Sequence, residues 1–291
     1  MCIFFMLSPS IKVNVNKNSK QETEMNPLAN DKIRTTVREQ YSKIANSENS
    51  GCCSPNTSCC NDTVIDEKNT SIELGYTNRD VNNVPEGANM GLGCGNPQAI
   101  ASLKSGETVL DLGSGGGFDC FLAAQEVGET GKIIGVDMTP DMVSKARSNA
   151  HKGGYKNIDF RLGEIENLPV ADAIVDVIIS NCVINLSPEK TQVFQESFRV
   201  LKPGGRLAIS DVIAFAELPE TVKNNVEAYT GCLAGASSIF EIEMMLKKAG
   251  FNAINIKPKD ESKNFIQNWL PESNVEDYVV SATIEAFKPN E

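Results

Sequence analysis

From residue 106 onward, short apolar runs alternate with stretches in which apolar residues recur every three or four positions. Thr108 to Leu112, Lys132 to Val136, Ile158 to Leu162, Val175 to Ser180 and Arg206 to Ser210 have the length and β-branched content of buried strands. Phe118 to Val127 has helical spacing and stops near Gly128. The helix after Asp137 opens with Thr139 as cap and Pro140 at its first position, and Pro188 to Leu201 reads as a further helix. Strand–helix alternation on this scale predicts an α/β fold with a parallel, doubly wound sheet. Ser238 and Glu241 form a capping box for a helix ended by Gly250, and Asp277 to Phe287 supplies a last strand.

Upstream the pattern is looser. Ile33, Val37, Tyr41 and Ile44 share one face of a helix over Asp31 to Ala45. Residues 46–70, rich in Asn, Ser, Thr and Cys, read as a mobile loop. Residues 1–30 read as a disordered extension, with Met25 as an alternative start. The chain thus divides into that extension, an N-terminal helix and Cys-rich segment (31–105), a core (106–215) and a C-terminal region (216–291).

Composition narrows the function. Among 291 residues, 38 acidic side chains outweigh 27 basic ones, for a net charge of −11. That field disfavours nucleic acid and anionic membrane surfaces as partners. The single histidine, His151, excludes a two-His metal site and leaves little room for His-based acid–base chemistry; its place at a helix end suits the helix dipole. No apolar run is long enough for a membrane span or a signal-peptide core, so a cytoplasmic location is expected. Nine cysteines in a reducing compartment point to metal or redox chemistry more than to disulfides.

The first strand of the core ends in Asp111-Leu112-Gly113-Ser114-Gly115-Gly116-Gly117, a glycine turn leading into a helix, where backbone amides approach a ligand closely. Phe118 stands where a dinucleotide fingerprint needs Gly or Ala, which disfavours a nicotinamide oxidoreductase. Asp111 suits a ligand carrying a free amino group and sits badly beside a pyrophosphate. Asp137, at the end of the second strand, is placed to accept both hydroxyls of a ribose. Met138 can pack its thioether on an adenine face. Gly163, Glu164 and Ile165 follow the third strand, and Asn181 ends the fourth. With Arg199 to Gly205, these motifs resemble the class I S-adenosylmethionine-dependent methyltransferases. That resemblance implies a Rossmann-like, seven-stranded, mostly parallel sheet with an antiparallel last strand.

Three cysteines remain to be explained. Cys182 follows Asn181, beside the place expected for the transferable methyl group. Cys94 lies in Gly91 to Pro97 and Cys232 in Thr230 to Ala236, both rich in small residues. Packing is the bland reading for any one cysteine and is assigned to Cys120. Thiolates select soft, thiophilic centres. Zinc is disfavoured because there is no CxxC spacing and no histidine to help. Trivalent arsenic takes three thiolates in a pyramid and keeps a lone pair that needs no base.

Asn181-Cys182-Val183-Ile184-Asn185-Leu186, the segment Val84 to Pro97 and the Cys232 motif resemble the arsenite methyltransferases over about residues 31–288. The resemblance implies arsenic binding by Cys94, Cys182 and Cys232 in a smaller C-terminal arsenic-site region. It further implies an internal reductant at Cys52 or Cys53, with Cys59 and Cys60 close by, and glutathione or thioredoxin as the external thiol. Substrates would be arsenite or its thiol adducts, methylated for detoxification, with no tightly bound metal. Two rivals stay open: a quinone- or sterol-type carbon methyltransferase, and a non-catalytic metalloid-binding protein.

Overall fold

The structure, a computed structural model, describes residues 27–47, 67–223, 225–270 and 273–290. Met25, Cys52, Cys53, Cys59 and Cys60 lie outside them, as does nearly all of the N-terminal extension.

The chain opens with helices α1 (Pro27–Asn46), α2 (Glu67–Glu73), α3 (Asn78–Asn82) and α4 (Gln98–Ala101). The core follows as β1 (Thr108–Leu112), α5 (Phe118–Val127), β2 (Lys132–Asp137), α6 (Pro140–Gly153), β3 (Ile158–Leu162), β4 (Val175–Asn181), α7 (Lys190–Val200) and β5 (Leu201–Ala214). It ends with α8 (Glu220–Lys223), α9 (Val226–Thr230), β6 (Ser237–Ser238), α10 (Ile239–Ala249), β7 (Asn252–Pro258), α11 (Lys263–Ile266) and β8 (Val279–Phe287).

The main strands form one sheet in the order β3-β2-β1-β4-β5-β8-β7, with the two-residue β6 pairing off β5. β1 to β5 run parallel, while β8 pairs antiparallel with both β5 and β7. The expected seven-stranded α/β sheet with an antiparallel last strand is therefore present. Strand order reverses between β1 and β4, and at such a switch point the carboxyl ends of the strands leave a crevice for a ligand. Leu110, Ile178 and Ile209 pack towards α7 and α10 on one face, and Val109, Ile133 and Val177 towards α5 and α6 on the other.

Several elements differ from the sequence expectation. Glu67–Glu73 is a helix that begins inside the stretch read as loop. β5 begins at Leu201, because a register shift opposite Val175 and Val177 lets Pro203, Gly204 and Gly205 enter the strand as an irregularity. β8 begins only at Val279, after a 3₁₀ turn over Val275–Asp277. β7 has no apolar run to announce it. As a half-exposed edge strand it tolerates Asn252, Lys257 and Pro258.

Helix α1 is fastened across the crevice by ion pairs. Arg34 Nε donates to Glu166 at 3.3 Å, lies 3.7 Å from Glu164, and its guanidinium also binds Glu189. Glu166 is buried and accepts a further bond from Ser187 at 2.6 Å. Arg34→Ala would strand that buried carboxylate. Loss of about 3 kcal/mol of stability is expected, measured by urea denaturation, with faster amide exchange confined first to α1.

Candidate functional site

The carboxyl ends of β1, β2 and β4 form the floor of a cavity of about 740 Å³. Val37 and Tyr41 of α1 roof it, Leu74 and Met90 wall one side, and Cys182, Cys232 and Trp269 close the far end. Trp269 packs against Phe265, their ring centroids 5.5 Å apart.

Of the residues expected to hold a nucleoside, Asp111, Gly113, Ser114, Gly115, Asp137, Met138, Ile165 and Asn181 line this cavity. Gly163 and Glu164 stand outside its wall, and the Glu164 carboxylate is engaged by Arg38 at 3.1 Å. Gly117 lies beneath the floor, where an added Cβ would stand 2.8 Å from ring carbons of both Phe121 and Phe160. Asp137 Oδ2 accepts from Gly115 N at 2.9 Å and its Oδ1 from Thr139 N at 2.8 Å, fixing the carboxylate in place. Burial raises its pKa.

Two features fit S-adenosylmethionine here. The hydroxyl of Ser114 is buried with no hydrogen-bond partner among the described residues. Gly115, at φ +50°, has only open space where a side chain would stand. Asp111, 3% exposed, meets the Cys120 thiol at 3.2 Å, and burial pushes its carboxyl well above the ordinary range.

Asp119, which sequence reading passed over, forms a buried cluster with Tyr76 and Asn181. Tyr76 Oη donates to it at 2.8 Å and Asn181 Nδ2 at 3.4 Å. Burial pushes its carboxyl from 3.8 up to about 6 against the pull of those bonds. The native chain thus holds a proton between those values that the unfolded chain has released, so this group's contribution to stability falls as pH rises through the window. Relative to the parent, Asp119→Asn should gain about 3 kcal/mol between about pH 4 and about pH 7, read from paired urea titrations.

The three cysteines converge. Sγ of Cys94, Sγ of Cys182 and a carboxylate oxygen of Asp211 all lie within 4.8 Å of one another. The Cys232 thiol donates to the Cys182 carbonyl at 2.7 Å. The neighbouring thiols of Cys232 and Cys94, then burial, push Cys182 well above its ordinary pKa; burial alone leads the rise at Cys94. Cys182 and Cys232 have left-handed backbones, φ +58° and +65°, a conformation that costs a non-glycine residue roughly 1 kcal/mol.

Asn181 holds the Cys94 loop. Its Oδ1 accepts from Cys94 N at 3.1 Å and its Nδ2 donates to Gly95 O at 2.8 Å. Ser281 Oγ adds a bond to Cys94 O at 2.5 Å. Asp211, on β5 just past the last residue paired with β4, is 2% exposed and accepts from Ile184 N at 3.0 Å, Asn185 Nδ2 at 3.0 Å and Val212 N at 2.8 Å. Burial pushes it up to about 6. The one signal for it in the sequence is that it directly follows the apolar run Arg206 to Ser210, although β5 itself continues to Ala214. Tyr41 of α1 donates to Thr230 O at 3.2 Å, covering the thiols. Cys120 is buried among apolar side chains of α5 and β1.

A family profile described as a methyltransferase domain matches residues 103–250. An arsenite methyltransferase of Halobacterium salinarum is 52% identical over 281 residues, covering 94% of this chain and 70% of that protein. One from Aquipseudomonas alcaligenes is 39% identical over 203 residues, covering 67% of this chain and 58% of that protein. The crystal structure of an arsenic(III) S-adenosylmethionine methyltransferase from Chlamydomonas reinhardtii aligns with TM-score 0.58 and 34% identity, over 76% of this chain and 73% of that one. Among the described residues, no helix is long and apolar enough to cross a membrane.

Proposed function

The chain belongs to the arsenite methyltransferases, and on that premise we propose that it transfers methyl groups from S-adenosylmethionine to trivalent arsenic held by Cys94, Cys182 and Cys232. The observation that carries the substrate reading is that the Cys182 and Cys232 thiols meet in the wall of the cofactor-sized cavity, with the buried Cys94 thiol beside Cys182.

Asp137 would take the ribose, Met138 and Ile165 the adenine, and Asp111 with the Ser114 hydroxyl the methionine end. S-adenosylmethionine supplies an electrophilic methyl group on a sulfonium. The protein's own part is to bind and aim the acceptor. Each As–OH bond of arsenous acid is exchanged for As–S, the thiol proton leaving with the hydroxide as water. The trithiolate carries no net charge, which a buried site favours. Asn181 fixes Cys94, the Asp211 bonds fix the turn after Cys182, and Tyr41 and Val37 exclude water. With orientation and water exclusion in place, the arsenic lone pair needs no base.

Methyl transfer leaves arsenic oxidised by two electrons. Cys94 with Cys52 or Cys53 would return them by forming a disulfide, which glutathione or thioredoxin then reduces. Mono- and dimethylated arsenicals in a cytoplasmic detoxification role complete this reading.

The test is anaerobic incubation of the purified chain with S-adenosylmethionine, arsenite and a thiol reductant, with arsenic species resolved by chromatography and mass detection. Methylated arsenic is expected. Its absence from protein shown to bind S-adenosylmethionine overturns the substrate reading.

A further inference from the structure

We propose that the thiol cluster is also a binding site for a soft divalent cation, zinc or cadmium, with Asp211 as fourth ligand, and that such a cation competes with arsenic for the same sulfurs.

Sequence spacing argued against zinc because no two cysteines form a CxxC pair, but that argument concerns local motifs alone. The fold brings together Cys94 before α4, Cys182 after β4 and Asp211 on β5, and sets Cys232, after α9, beside Cys182. Cys94, Cys182 and Asp211 already lie within 4.8 Å of one another, and the Cys232 thiol is hydrogen-bonded to the Cys182 carbonyl. A tetrahedral d¹⁰ cation with bonds of about 2.3 Å to sulfur and about 2.0 Å to oxygen would draw the first three together, with the Cys232 thiol turning from that carbonyl to complete the shell.

The two guests would use the pocket differently. Pyramidal arsenic takes three sulfurs, keeps its lone pair on the open side, and leaves Asp211 free. A closed-shell divalent cation seeks a fourth donor. Asp211 is the carboxylate in reach, and its three N–H bonds hold it as ligating carboxylates are commonly held. Three thiolates and a carboxylate around a divalent cation leave two negative charges. Two ammonium groups act on this corner: Lys190 on Asp211 and Lys259 on Cys94. Binding would send the thiol protons to solvent and involves no change of oxidation state.

The cation-binding part stands on the convergence of the thiols; the competition rests on the proposed arsenic function. The experiment uses the full chain with Cys2, Cys52, Cys53, Cys59 and Cys60 replaced by serine, so that only the described thiols report. Cadmium is titrated by its thiolate charge-transfer absorption, and X-ray absorption then counts the atoms bound to it. One cadmium per chain is expected, with three sulfurs and one oxygen, displaced by arsenite. Asp211→Asn, checked for folding by circular dichroism, should lower cadmium affinity at least about tenfold. An absent charge-transfer band, a shell other than three sulfurs with oxygen, or unchanged cadmium affinity in Asp211→Asn overturns the site. Because the shell is read on unchanged Asp211, that arm holds even if the variant fails to fold. Cadmium bound in the expected shell but not displaced by arsenite overturns the competition alone.

Discussion

Cys182→Ser should lower formation of methylated arsenic by at least roughly 10²-fold, while S-adenosylmethionine affinity and thermal stability stay near those of the parent. The hydroxyl is a hard donor and a poor ligand for arsenic, so arsenic would be held by two sulfurs and no longer aimed. The substitution is nearly isosteric and makes no new demand on the backbone at φ +58°. The bond from Cys232 goes to the carbonyl of residue 182, which serine retains. Turnover assays run beside isothermal calorimetry with S-adenosylmethionine check both halves. A variant that kept full activity would remove Cys182 from the arsenic site.

The glycine turn after β1 offers a second separation, between a residue that meets the ligand and one that supports the fold. An alanine methyl at Gly115 touches no protein atom within 4 Å and stands at the wall of the cavity. Gly115→Ala should fold with a loss of about 1 kcal/mol for its left-handed backbone. Its S-adenosylmethionine affinity should nevertheless fall roughly tenfold to a hundredfold, because the methyl takes space the ligand needs. Gly117→Ala should behave in the opposite order. Its methyl is driven into Phe121 and Phe160 at φ +94°, and stability should drop by about 3 kcal/mol. Calorimetry paired with chemical denaturation distinguishes the two. Unchanged cofactor affinity in Gly115→Ala would place the cofactor elsewhere.

The sheet was legible because its parallel strands are buried on both faces and therefore read as unbroken apolar runs. β7 was not, since an exposed edge needs no apolar pattern, and α2 was not, since seven polar-rich residues give too short a window for periodicity. In the candidate site, Asp111, Gly115 and Asp137 could be located because each sits at a strand end fixed by its own local sequence. Convergence of Cys94, Cys182 and Cys232 entered only through the family resemblance and could not be derived from spacing: the three lie in separate segments, and the assembled sheet and the Asn181 bonds bring them together. Asp119 and Tyr41 share that reason. Each acquires its significance from a neighbour that is distant in the chain.

The left-handed backbones of Cys182 and Cys232 also bear on how such a protein changes over generations. At both positions glycine would be the more comfortable residue, and a cysteine codon becomes a glycine codon by one base change. Folding alone would therefore set relief of backbone strain against the packing of one small side chain at each position, and gives these thiols weak protection from drift. On the proposed function, exposure to arsenic supplies the remaining reason to retain them, so an inactive descendant would betray itself first by its genotype at two codons.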